Sequence, residues 1–122
     1  MKPVDSAVGI ASVYVELFRA IRVAMCTPRV VAALTISAGI VSFSAIVYMI
    51  LEDWDLLDAV YFCFVTMSTV GYGDFSPHTA LGKIFTIFYL LIGIGTFVLT
   101  VTAIADAIVS EYKVIKKEEG EL

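Results

Sequence analysis

The chain predicts an all-α membrane protein, with two spanning helices joined by a re-entrant segment. Three observations carry that class. Of the 122 residues, 60% are hydrophobic, and the mean hydropathy is +0.94, more apolar than a soluble domain of this length sustains. Two stretches run without charge for the width of a bilayer. The stretch of about thirty residues between them is too long for a simple turn and carries a helical pattern followed by glycines on alternate positions. Non-helical backbone at membrane depth persists only when it is buried in protein or lines water. The connection therefore enters the membrane and returns.

Residues 1–28 form the first unit, an amphipathic helix lying on the cytoplasmic leaflet. On a helical wheel Asp5, Ser12, Glu16, Arg19 and Arg22 share one arc. Ile10, Val13, Tyr14, Leu17, Phe18, Ile21 and Met25 fill the other, which is the pattern of an interfacial helix rather than a third span. Thr27-Pro28 ends it, because the residue before a proline resists helical angles. These residues lack a short apolar core with a small-residue cleavage site, so no cleavable signal peptide is expected. Residues 29–122 form the second unit. An outer helix over 30–51 is charge-free and about 33 Å long. A short helix over 58–68 follows, with Asp58 as its N-cap candidate. An inner helix over 81–112 is about 48 Å long if fully helical, which implies tilt or a cytoplasmic extension.

Lysine and arginine set the orientation. Lys2, Arg19, Arg22 and Arg29 precede the first span, and Lys113, Lys116 and Lys117 follow the second. The connection holds only Lys83 against Glu52, Asp53, Asp55, Asp58 and Asp74. Both termini are therefore expected in the cytoplasm of a multi-pass cell-membrane protein, with the connection opening outward. The outer acids either raise the local cation concentration or simply solvate a loop.

The chemistry sits in residues 69–74, Thr-Val-Gly-Tyr-Gly-Asp. This stretch resembles the selectivity filter of potassium channels, in which inward-facing carbonyls replace the hydration shell of a cation. A row of carbonyls points one way only if alternate residues take angles that L-residues resist and glycine takes freely. Gly71 and Gly73 supply that alternation. Val70 and Tyr72 are expected to turn outward, the Thr69 hydroxyl to add an oxygen at the inner end, and Asp74 to stand at the outer mouth. The segment from Tyr61 to Pro77, then Gly82–Ile87 and Ile92–Gly95, resembles the pore of two-transmembrane tetrameric cation channels of the prokaryotic NaK and calcium-gated potassium types. The nonselective NaK type carries Gly-Asp-Gly where this chain has Gly71-Tyr72-Gly73. Many potassium channels carry paired tryptophans where it has Tyr61 and Phe62.

The resemblance implies a homotetramer in the lipid bilayer, passing K+ between Thr69, Val70, Gly71, Tyr72 and Gly73. The residues require several copies too, since one loop cannot encircle an ion. Tyr61 and Phe62 are expected to pack around Tyr72 as an aromatic cuff. The Tyr61 hydroxyl is placed to bond Asp74, unless Asp74 is only a solvated carboxylate. The resemblance also implies a gating hinge at Gly93, whose local helix weakness fits. Close helix packing is the alternative for that glycine, and both can hold. Ile94, Val98, Val101, Thr102 and Ala105 follow at helical spacing as pore lining. Asp106, near the inner end of the apolar helix, is either an inner-mouth charge or an interfacial residue in water.

The expected function is a potassium-selective pore with no enzyme activity. His78 is the only histidine, no catalytic pair or phosphate loop is present, and Gly93-x-Gly95 lies inside a span. No intrachain disulfide is expected on the filter side, since Cys63 has no second cysteine there and Cys26 precedes the first span. No nucleic acid is expected as a partner, and no arginine-repeat voltage sensor is present. A cytoplasmic regulatory domain beyond Leu122 stays open as a partner. The rival readings are a nonselective monovalent cation channel on the same scaffold and a non-conducting regulatory membrane subunit.

Overall fold

The computed structural model describes residues 6–120, so Lys2 and Asp5 lie outside the described residues. Four helices follow in order: α1 (Ser6–Met25), α2 (Pro28–Glu52), α3 (Leu56–Met67) and α4 (Ala80–Gly120). No strand occurs among the described residues. Both α2 and α4 are long and apolar enough to cross a membrane, each with a window of mean hydropathy 2.3. At 12 residues, α3 is too short to cross. The protein is thus an all-α membrane protein with two spans.

The helix ends follow from local chemistry. After α1, the amides of Cys26 and Thr27 bond back to the carbonyls of Val23 and Ala24 at 3.1 and 3.0 Å. Pro28 then takes the first position of α2, where a missing amide costs no helical bond. The short helix α3 begins before Asp58. Asp55 is its N-cap, with extended backbone and no side-chain cap bond, and its carbonyl accepts the Ala59 amide at 2.9 Å. Asp58 sits instead in the first turn, where a carboxylate suits the positive end of the helix dipole. Leu56 and Leu57 are strong helix formers and extend the helix back to Asp55.

The inner helix runs past Tyr112 to Gly120. Hydropathy falls there, but Glu, Lys, Val and Ile continue the helix, and no breaker appears before the glycine. Forty-one residues rise about 62 Å, twice a bilayer's hydrocarbon thickness.

The chain forms two compact units, 32–101 and 1–31 with 102–122. In the first, Tyr48 of α2 is fully buried among rings. Phe62 meets it edge-on at 4.9 Å and Phe85 at 5.3 Å, while Trp54 stacks at 5.6 Å. The Tyr48 hydroxyl pairs with Thr86 Oγ1 at 2.8 Å, and the Tyr89 hydroxyl donates to the Cys63 carbonyl at 2.9 Å. Ser37 and Thr100 pair their hydroxyls at 2.7 Å in a buried site. Every one of these bonds joins two different helices, the form of polar contact that ties helices together in lipid. In the second unit the buried residues among those described are Ala20, Ala24, Val30 and Ala103. The large apolar side chains of α1, among them Tyr14 and Phe18, are exposed. Glu16 and Arg19 of the polar arc line a cleft with Glu111 and Glu118 of α4.

Candidate functional site

The end of α3 builds the beginning of the 69–74 segment. Ser68 caps the helix, and Thr69 follows with φ of 64°. The Thr69 amide donates to the Thr66 carbonyl at 3.0 Å, and the Val70 amide to the Val65 carbonyl at 3.1 Å. That pair of bonds is the Schellman termination, with a threonine in the left-handed position that glycine normally fills. The Gly71 amide also donates to the Val65 carbonyl at 3.1 Å. Three consecutive amides are thus spent on the helix terminus, which satisfies carbonyls that the last turn leaves unpaired.

Beyond the cap the backbone alternates. Gly71 has φ of 52° and Gly73 of 80°, while Val70 and Tyr72 stay outside the left-handed region. The sequence pattern anticipates the two glycines. It does not anticipate Thr69, whose left-handed φ comes from the helix cap rather than from its residue type. A β-branched residue there costs on the order of 1–3 kcal/mol. In an extended strand successive carbonyls point to opposite sides. Reversing the sign of φ at every second residue removes that alternation and turns successive carbonyls the same way.

All of residues 69–74 are exposed in the single chain, Tyr72 at 71%. The expected cuff differs within one chain. Phe62 is buried and turned away from Tyr72, into the rings of Tyr48 and Trp54 at 4.9 and 5.1 Å. Tyr61 meets Phe75 at 6.1 Å. The Tyr72 ring meets no aromatic partner among the described residues. The reason is the helical step, since consecutive α3 positions point about 100° apart and cannot both face Tyr72. The Tyr61 hydroxyl bonds the Asp74 carboxylate, which raises the phenol above its ordinary pKa and leaves it a donor at neutral pH. Asp74 Oδ1 also accepts the Phe75 amide at 3.1 Å.

Glu52 is the residue whose task the sequence conceals. At the C-terminal end of α2 it accepts the His78 amide at 2.8 Å and the Thr79 hydroxyl at 2.5 Å. Thr79 Oγ1 in turn accepts the Gly82 amide at 2.9 Å, the bond of an N-cap for α4. A Cβ on Gly82 would collide with the Glu52 carboxylate. Glu52 is therefore a tie between the end of α2 and the start of α4 and not a free charge. One signal was available. A carboxylate at a helix C-terminus opposes the dipole, so it must find its partner elsewhere.

Along α4 the buried positions Tyr89, Gly93, Thr100 and Ala103 share one face. Val98, Val101, Thr102 and Ala105 are exposed on the opposite face, and Ile94 is half-buried between. A Cβ placed at Gly93 would meet Met67 Cγ and Tyr89 Cζ at 3.4 Å each, so the glycine seats α4 against the end of α3. The helix is continuous through Gly93. Asp106 lines a cleft with Thr27, Arg29, Ser110 and Glu111.

Residues 30–110 match the model of an ion-channel family. The chain is 40% identical over 67 residues to Potassium channel protein 1 of Methanocaldococcus jannaschii, covering 55% of this chain and 20% of that protein. It is 35% identical over 98 residues to Probable potassium channel protein 2 of the same organism, covering 77% of this chain and 29% of that one. It is 47% identical over 55 residues to Potassium channel subfamily K member 18 of Rattus norvegicus, covering 45% of this chain and 14% of that one. The chain thus spans less than a third of the length of each of these relatives.

Proposed function

The chain belongs to the ion-channel family, and we propose that within it this is a potassium-selective pore assembled from four copies. One observation carries the reading: three alternate left-handed residues, Thr69, Gly71 and Gly73, directly after a helix terminus that has taken up their neighbouring amides. Carbonyls of Thr69, Val70, Gly71 and Tyr72, with the Thr69 hydroxyl and Gly73, then face a common axis and stand in for water around a dehydrated K+. K+ is the transported substrate, passed between successive sites and not consumed. Four α3 helices direct the negative ends of their dipoles at the same axis. The exposure of all six filter residues supports assembly, because such backbone at membrane depth needs neighbouring protein or water around it. Tyr72 then finds its aromatic cuff on a neighbouring subunit.

In this reading both chain ends lie in the cytoplasm of a cell and α1 rides on the inner leaflet. The exposed stripe Val98, Val101, Thr102 and Ala105, with Ile94, lines the inner path. Gly93 combines seating against α3 with bending, and a cytoplasmic regulatory domain outside the given residues supplies the stimulus. Asp106 attracts cations near the inner mouth. The names of the relatives agree with potassium as the ion, and the family is one of channels rather than enzymes.

The test is flux through the purified protein in liposomes, with potassium and sodium compared in bi-ionic recordings. A reversal potential set by potassium alone is expected. Equal sodium and potassium permeability overturns selectivity, and absence of any flux overturns the pore.

A further inference from the structure

One cleft among the described residues is unrelated to the proposed filter. It lies within the unit of residues 1–31 and 102–122, measures about 510 Å³, and is lined by Leu17 and Ala20 of α1 with Ile108, Val109 and Tyr112 of α4. Three further lining residues are Lys113, Lys116 and Lys117. The floor is apolar and the rim is cationic. Spaced by three and four, the lysines fall on one side of the helix. All three are exposed. No acid is among the residues that line this cleft. Glu111 and Glu118 line a separate cleft with Glu16 and Arg19, and Glu16 also flanks a smaller cleft that it shares with Lys116.

Depth along α4 orders these groups. Ile108 and Val109 lie within about 6 Å, along the axis, of Ala105, the last residue of the charge-free stretch, and Lys113–Lys117 lie about 12–18 Å beyond it. Apolar wall thus coincides with the edge of the hydrocarbon and lysines with the headgroup layer. Resting on the reading that places both chain ends in the cytoplasm, we propose that this cleft binds an anionic phospholipid of the inner leaflet. Its acyl-glycerol part lies against Leu17, Ile108, Val109 and Tyr112, and its phosphate lies among Lys113, Lys116 and Lys117. Basic segments next to a membrane-spanning helix recognise anionic lipid by this charge complementarity. The occupant bridges α1 to the end of the inner helix, so its binding is felt where a gate is proposed.

The experiment uses the purified full chain in detergent and calorimetric titration with dioctanoyl phosphatidic acid, dioctanoyl phosphatidylcholine and inorganic phosphate. Phosphatidic acid is expected to bind at least tenfold more tightly than the other two. The triple variant Lys113→Gln, Lys116→Gln, Lys117→Gln is expected to lose roughly a hundredfold in affinity. The triple Lys→Arg variant is expected to stay within about threefold of the unmodified chain, since the charge is kept. Leu17→Glu, on the α1 wall, is expected to weaken phosphatidic acid binding as well. Unchanged affinity in the Gln variant, loss as large in the Arg variant, or phosphate binding as tightly as the lipid overturns the proposal. Titration in detergent does not depend on sidedness or ion flux. Labelling of Lys113 by a membrane-impermeant amine reagent from the cell exterior would overturn the orientation alone.

Discussion

Residues 32–101 bury rings, whereas the described residues of 1–31 with 102–122 bury little larger than alanine. In the first unit Tyr48, Phe62, Met67 and Tyr89 interlock, and hydroxyls bond helix to helix. In the second, Ala20, Ala24, Val30 and Ala103 are the buried apolar residues among those described, with open clefts near Ala20. Large rings in fixed edge-on and stacked contacts resist displacement, because moving one forfeits many dispersion contacts at once. A seam of small side chains forfeits few and can slide. A filter that discriminates ions by a set of fixed oxygens needs the first kind of packing, and a helix end that moves needs the second.

The largest effect should come from Tyr48. Tyr48→Ala removes a fully buried ring with four aromatic neighbours and is expected to destabilise the protein by about 3–5 kcal/mol. Thermal unfolding of the purified protein measures it. Ala24→Gly, in the other unit, should cost only about 1 kcal/mol, and a comparable loss in both would erase the contrast.

Next in size is the proposed filter. Tyr72→Asp combined with Asp74→Asn should reduce the preference for potassium over sodium at least tenfold, about 1.4 kcal/mol. Reversal potentials read this directly, and an unchanged preference for potassium would take Tyr72 and Asp74 out of the selectivity argument.

Gly93 sharpens the comparison, since it is a small residue set inside the ring-packed unit. Gly93→Ala should lower open probability and leave selectivity intact. Gly95→Ala, where a Cβ meets nothing within 4 Å, should instead stabilise the helix by up to about 1 kcal/mol. Single-channel recordings that find the two variants alike would deny Gly93 any special part. Tyr61→Phe removes the donor to Asp74 and should speed the loss of conduction during sustained opening without shifting the melting temperature. Since the Tyr61 phenol is raised above its ordinary pKa, its bond is held below that value and given up only in strong alkali. The smallest effect is expected from Asp106→Asn, a modest weakening of block by internal divalent ions. Unchanged block and conductance would place Asp106 with Arg29 in its cleft and off the ion path.

Much of this was legible in the chain. Two charge-free stretches of bilayer length pointed to spans, and Gly71 and Gly73, alternating just after a short helical pattern, pointed to left-handed backbone, whereas Gly93 and Gly95 at the same spacing lie inside a helix. What was hidden depended on contacts across the fold. Asp55 and Asp58 are equal candidates for a cap by residue type, and only the backbone of α3 decides between them. Glu52 finds its partners 26 and 27 residues on, a pairing no local pattern encodes. The extent of α4 was concealed by a fall in hydropathy that carries no information about helix propensity. Phe62 has the composition of a cuff residue, but its neighbour Tyr61 takes the direction that faces Asp74.

The Schellman cap at Thr69 has a consequence for which ions are refused. Because the amides of Thr69, Val70 and Gly71 all point back to Val65 and Thr66, this stretch of the proposed path offers oxygen lone pairs and no N–H groups. A halide entering there would lose its water and find nothing to replace it, whatever side chains surround the mouth. Rejection of anions is then a property of the main chain, written by the way one short helix ends, and replacing Asp74 or the outer acids should leave it untouched.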